Sequence, residues 1–162
     1  MGDPVLRTVC TPVDLNNIPH PLLADMKEAV HSQSDGVAIA APQVGVPVRV
    51  FYVSGAVLKR ADPKKFAKEK DDMYFINPEI VKKSRQTQIL DEGCLSIRYL
   101  YGKVRRSKKI TIRAYDEHGK LFERGAVDLL AQIIQHENDH LDGILFIDKA
   151  KDIEEILPEE QK

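Results

Sequence analysis

The sequence predicts an α+β fold in which antiparallel β-sheets pack around one C-terminal helix. Three observations lead there. Short β-rich runs at 46–53 and 108–115 precede the best helical pattern in the chain, at 126–141. No strand alternates with helices in the way that builds a parallel sheet. The 162 residues, 43% hydrophobic and 30% charged, suit one globular domain with an ordinary core that needs no disulfides.

Along the chain, residues 19–33 (PHPLLADMKEAVHSQ) form the first predicted helix. Leu22, Leu23, Met26, Ala29 and Val30 recur at helical spacing, and Pro19 and Pro21 mark its start. Gly36 closes the connection that follows. Residues 46–53 (VPVRVFYV) are β-branched and aromatic and read as a strand. The charged stretch 54–72 is expected to be a surface insertion holding a short helix at most. MYFINPEIV is extended, but Pro78 has no N–H for a ladder and argues against a central strand there.

In KKITIRAY (108–115), Ile110, Ile112 and Ala114 alternate with Thr111, Arg113 and Tyr115, as in a half-buried strand. DEHGK then makes a turn and LFERG a returning strand. Over 126–141, Ala126, Leu129, Leu130, Ile133 and Ile134 form one apolar stripe. The end of the single domain 1–162 is expected to add a helical turn to about Leu157, within an exposed acidic tail at 152–162.

A net charge of −1 gives no sign of a membrane surface or a specific nucleic-acid partner. No run of 18 apolar residues exists, and the N-terminus has the character of neither a signal nor a transit peptide. Cys10 and Cys94 need not pair, so the simpler expectation is a cytoplasmic, bacterial-type protein with reduced thiols.

Chemistry concentrates in QHENDHLDG, residues 135–143. His136 and His140, one helical turn apart, point the same way and can share a metal ion. They and Glu137 continue the apolar stripe, where three polar side chains are costly unless something satisfies them. Glu137 would face a water activated by the metal and take its proton. A metzincin-type pattern would put a third histidine at 146, three residues after Gly143, but position 146 is Phe. Only 22 residues follow His140, and Glu154 and Glu155 lie in the tail, so a later glutamate ligand is poorly supported. Upstream, Cys94 follows Gly93 in DEGCLS; a thiolate with two imidazoles is a known open tetrahedral set. A buried apolar thiol is the other reading of Cys94. His20, His31 and His118 read as surface residues.

Three stretches together resemble the peptide deformylases: GVAIAAPQ (36–43), EGCLS (92–96) and QHENDHL (135–141), in the order and approximate spacing of that family. The likeness continues in GDPVLR, INPEI and LFIDK, so it covers nearly the whole chain. It implies a metal-dependent hydrolase that removes the N-formyl group from the initiator N-formylmethionine of nascent polypeptides. By the same resemblance Cys94, His136 and His140 hold the metal, natively Fe²⁺, replaceable by Zn²⁺, Ni²⁺ or Co²⁺. Glu137 is the general base and later acid. The Gln43 amide and the Leu95 N–H face the formyl oxygen.

Around that centre, Gly93, Ile97 and Ile133 are expected to contact the methionine end of the substrate, and the backbone at Val37 and Ala38 to pair with it as an added strand. Arg106 is expected to pair with Glu92 or Asp139 and orient the ligands. Departures from the family pattern are Ala38 for a glycine, Ile39 for leucine, Arg98 for proline and Gln132 for an apolar residue. Ala38 would be strained if the position needs φ > 0, and would otherwise narrow the groove. Arg98 adds charge beside the peptide path. An acidic C-terminus implies proximity to the ribosome without tail-mediated anchoring, and the expected state is a monomer. Two other readings use the same residues: a metallopeptidase or other metallo-amidase, and a catalytically silent relative that binds formylated N-termini.

Overall fold

The computed structural model describes residues 3–158. In chain order the elements are α1 (His20–His31), β1 (Ala38–Ala40), β2 (Val50–Ser54), α2 (Gly55–Ala61), β3 (Asp72–Lys83), β4 (Thr87–Cys94), β5 (Ile97–Ser107), β6 (Lys109–Tyr115), β7 (Leu121–Val127), α3 (Asp128–Leu141) and β8 (Lys151–Glu155). They build two antiparallel sheets, β1-β2-β3-β6-β7 and β4-β5-β8, with α3 against them, which is the α+β arrangement expected.

The five-stranded sheet is buried on both faces near β2, whose alternate residues serve two clusters. Phe51 and Val53 join Phe75, Ile112, Leu130 and Ile134 on the α3 side. Val50 and Tyr52 join Leu22, Met26 and Val30 of α1. All five β2 residues are therefore buried, and each large apolar one contributes roughly 1.5–3 kcal/mol. A third cluster, Leu6, Ile97, Val104, Leu145 and Phe146, holds the smaller sheet to the chain after α3. Among the described residues no helix is long and apolar enough to cross a membrane.

Several expectations change. The strand read at 46–53 occupies Val50–Ser54; Val48 makes only an isolated bridge to Thr11. Residues 54–72 are not simply a surface insertion, because Leu58 and Phe66 reach the main core. Pro78 does lie in a central strand, β3, between β2 and β6. It is tolerated because the register shifts between Ile76 and Glu79, so the missing N–H falls in a bulge. Asn77 (φ +49°) turns the chain there, and its side chain bonds both the N–H and the carbonyl of Val13, at 2.7 and 2.9 Å.

The helical turn expected near the C-terminus is instead strand β8, paired with β5, so the supposed tail begins as an edge strand. Residues 159–162 of that tail lie outside the described residues. The β4–β5 hairpin was not foreseen: Gly93, Gly102 and the buried Arg106 break its apolar alternation. On α3 the fully buried stripe is Leu130, Ile134 and Leu141, with Ala131 beside it, whereas Leu129 is exposed and Ile133 half-buried.

Candidate metal centre

Cys94 ends β4, and the hairpin turn Leu95–Ser96 presents its thiol to α3. His136 and His140 face it from successive turns of that helix, and the ligand atoms of the three residues lie within 4.8 Å of one another. Cys94 Sγ is 3.4 Å from His140 Nε2. A tetrahedral metal with sulfur at about 2.3 Å and nitrogen at about 2.0–2.1 Å requires an S···N edge of roughly 3.6 Å, so the donors stand close to what one ion needs. The buried Glu137 Oε2 has no hydrogen-bond partner among the described residues. A soft thiolate, two imidazoles and an orphaned carboxylate oxygen beside them fit a divalent metal with an open position.

The shell behind the donors is dense. His136 Nδ1 meets Glu92 Oε1 at 2.7 Å, which turns its Nε2 toward the centre. Glu92 accepts two hydrogen bonds of 2.8 Å from Arg106, and Arg106 Nη1 donates to Asp139 at 2.7 Å. Both acids named for Arg106 are therefore engaged at once. Lys149 also pairs with Asp139, and the Phe146 ring packs on His136 at 6.2 Å.

Burial alone would raise the Glu92 carboxyl, but its hydrogen bonds from Arg106 and His136 outweigh that and hold it at about 2. Burial pushes Glu137 up to about 7, a value suited to accepting and returning a proton near neutrality. Burial and the neighbouring His136 lower His140 to about 3, so it is a neutral imidazole ready to ligate. For His136 burial works downward, yet hydrogen bonds to Cys94 and Glu92 raise it to about 10; a metal at its Nε2 would displace that proton.

Gln43 sits in the 3-10 turn Ala41–Val44. Its Oε1 accepts from Ala40 N–H at 2.8 Å, which aims Nε2 at Ser96 Oγ (2.9 Å) and Cys94 Sγ (3.4 Å). The Leu95 N–H in the hairpin turn has no backbone acceptor among the described residues. A groove of about 410 Å³ runs past these groups, lined by Val37, Ala38, Gln43, Glu92, Gly93, Cys94, Leu95, Ile97, Arg98, Ile133, His136 and Glu137. Arg106, Asp139 and His140 stand behind it.

β1 is the edge strand of its sheet, so one side of Val37–Ala40 is open to another strand. Ala38 pairs with Val53 and is not among the positive-φ residues, so the glycine-to-alanine departure carries no backbone strain. At Gly93 a Cβ would lie 2.8 Å from the Tyr101 ring, which would have to shift to admit it. Ile97 is mostly buried and offers the groove only part of its side chain. Arg98 hydrogen-bonds Gln33 and lies 3.9 Å from Asp35, so its charge is partly engaged across the groove mouth. His20, His31 and His118 are exposed.

Sequence reasoning missed Ser96, Phe146 and Lys149 as supports. Ser96 was legible as the hydroxyl closing EGCLS; Phe146 and Lys149 come into reach only through the turn after α3. Gln132, noted only as a departure, donates to Asp91 O at 3.0 Å beside Glu92.

Comparison with known proteins gives a consistent result. A family model described as Polypeptide deformylase matches residues 1–155. A peptide deformylase of Pseudothermotoga lettingae is 40% identical over 149 residues, covering 91% of this chain and 78% of that protein. The crystal structure of the peptide deformylase from Thermotoga maritima superimposes with a TM-score of 0.78 at 31% identity, covering 93% of this chain and 94% of that one. A class I type b peptide deformylase from Acinetobacter baumannii, with Met-Ala-Ser bound, superimposes with a TM-score of 0.77 at 32% identity, covering 92% and 94%.

Proposed function

The chain belongs to the peptide deformylase family of metal-dependent hydrolases that remove a formyl group, and we propose the residue roles by which it does so. Cys94, His136 and His140 hold the metal. Glu137 moves the proton, Gln43 and the Leu95 N–H stabilise charge on the formyl oxygen, and the edge at Val37 and Ala38 takes the peptide. The observation that carries these roles is the gathering of three donors from two distant segments beside a buried carboxylate oxygen that has no partner among the described residues.

When bound, a divalent metal supplies a Lewis acid that lowers the pKa of a coordinated water and polarises the carbonyl. Glu137 takes a proton from the attacking water at Oε2 and later gives it to the departing amine of methionine. Burial favours its protonated form, so the same carboxyl that accepts the proton is able to return it. Negative charge gathers on the formyl oxygen as water adds, and Gln43 Nε2, held by the Ala40 contact, donates to it together with the Leu95 N–H. The substrate oxygen displaces Ser96 Oγ from one Gln43 hydrogen. Ile97 and Ile133 give the methionine side chain an apolar wall, with Gly93 and Arg98 further along the groove. Glu92, Arg106 and Asp139 do not touch substrate; they fix the His136 ring.

The native metal in this proposal is Fe²⁺, with Zn²⁺, Ni²⁺ or Co²⁺ able to occupy the same donors, since thiolate and imidazole suit all four. The substrate arises at translation, which implies a cytoplasmic setting; one catalytic domain working as a monomer is enough for the groove described. The test is formate release from formyl-Met-Ala-Ser by protein prepared without oxygen and loaded with Fe²⁺ or Ni²⁺. Formate is expected from the formylated peptide and no cleavage of the unformylated one. Cleavage of internal bonds would favour a metallopeptidase; binding without turnover would favour a silent relative. Full rate in Glu137→Gln would overturn the proton role.

A further inference from the structure

A net charge near zero hides a local excess of cations. Residues 82–85 (KKSR) close β3, and residues 105–109 (RRSKK) carry the chain from β5 into β6. The chain passes between the two sheets at both places, and backbone bonds tie the crossings together. Ser84 N–H donates to Lys109 O at 2.9 Å and Lys108 N–H to Gln86 O at 3.0 Å. Lys82, Lys83, Arg85, Arg105, Lys108 and Lys109 are thereby gathered at one end of the molecule, all exposed except the half-buried Lys108.

Among the described residues none of the six pairs with a carboxylate. Of the acids nearest them, Asp128 pairs with Lys65 at 3.6 Å and Glu69 with Arg124 at 2.7 Å, while Glu79 lies exposed on β3 three positions before Lys82. Like charges crowded without counter-ions repel one another and project a positive potential that a polyanion relieves. Beside them opens a cavity of about 420 Å³, with Lys82, Ser84, Lys109 and Thr111 at its wall and Phe66 and Ile110 as apolar surface. None of the six lines the peptide groove. Asp128, whose N–H bonds Lys108 O, begins α3 about 18 Å along the helix from His140 at 1.5 Å per residue.

We propose that this end of the molecule binds single-stranded RNA, with phosphates on the six cations and a base in the adjoining cavity. RNA is chosen over an anionic lipid surface because the concave pocket beside the charges accepts a base; the exposed Val81, Ile89 and Val127 flank the same cations, so vesicles are the competing ligand to test. The choice of RNA also rests on the function proposed above: a nascent chain is always presented by an RNA-containing particle. Bound this way, the enzyme stays near its substrate's source while the groove remains free, and the acidic C-terminal segment takes no part.

The test is fluorescence anisotropy of a labelled single-stranded 15-mer RNA between 50 and 200 mM salt, with the metal-loaded full chain. Six contacts give a log–log salt slope of about −4, a loss of roughly 300-fold over that range. The double variant Lys82→Glu, Lys109→Glu should bind at least tenfold more weakly, with an unchanged unfolding temperature and unchanged formate release. A slope shallower than −2, equal binding by the double variant, or tighter binding to phosphatidylglycerol vesicles than to RNA would overturn the proposal. Formate release is read on the same samples, so RNA binding without turnover counts against the function and not against this surface.

Discussion

Arg106 is the residue whose loss should report most directly on how the centre is held. It is 3% exposed, gives two hydrogen bonds to Glu92 and one to Asp139, and replaces solvent for both acids. Arg106→Met keeps much of the volume and removes the charge, leaving Glu92 buried without its main partner. Breaking a buried pair from one side costs about 3–5 kcal/mol. The depressed Glu92 carboxyl gives an independent measure: a drop from 4.5 to about 2 corresponds to about 3 kcal/mol shared between Arg106 and His136.

For a chain of this length that loss lowers the unfolding temperature by roughly 10 °C. The stabilisation from Glu92 is full above the unfolded-state pKa near 4.5 and disappears as the pH falls through 4.5 toward 2. The gap between wild type and variant should therefore close over that window. Because Glu92 orients His136, metal affinity should fall about 10–100-fold as well. Urea unfolding of the metal-stripped protein, paired with chelator competition, measures both effects. A loss under about 1 kcal/mol at pH 7 would refute the view that Arg106 neutralises a buried charge. Adding Glu92→Gln should recover part of the stability, since the stranded charge is then gone.

Three further outcomes are expected. In the metal-stripped protein Glu137→Gln should be more stable than wild type by about 3 kcal/mol at pH 8, because burial holds Glu137 near 7 and its ionisation opposes folding. The advantage should vanish near pH 4.5, where the carboxyl is half protonated even when unfolded; equal differences at both pH values would contradict the assignment. Gln43→Ala should lower kcat by about 10²–10³ with little change in KM, and a change confined to KM would mean the amide binds the ground state instead. Gly143→Ala should cost more than Gly45→Ala in thermal unfolding: both have φ above +70°, but a Cβ at 143 would lie 2.7 Å from Arg7 O while the space at 45 is open. The strain common to both is about 1–2 kcal/mol; equal losses would mean that the Arg7 segment yields freely.

Much of this protein was already written in local pattern. Ile110, Ile112 and Ala114 alternate as a strand must, and all three are buried in β6. The i, i+4 histidines lie on one helix because helical periodicity puts them there whatever surrounds them. The resemblance in EGCLS and QHENDHL carried the family, and with it the donor set. Position along a sheet was not local. Pro78 looked excluded from a central strand, and only the pairing of β3 with both β2 and β6 showed a bulge that removes the objection. The hairpin that delivers Cys94 was obscured because Arg106, on an inward-facing position, reads as polar until Glu92 and Asp139 close around it.

Charge followed the same rule. A composition near neutrality fixes the sum of the charges but not their arrangement, and two basic runs some twenty residues apart became neighbours only when β3, β5 and β6 brought them together. The sequence by itself determined α1, β6, β7 and α3, the helical half of the metal centre and the kind of chemistry, because each depends on neighbours within a few residues. The tertiary structure alone decided which side chains compensate which charges. Cys94 meets His140 across 46 positions and Glu92 meets His136 across 44, and no periodicity reaches that far along a chain.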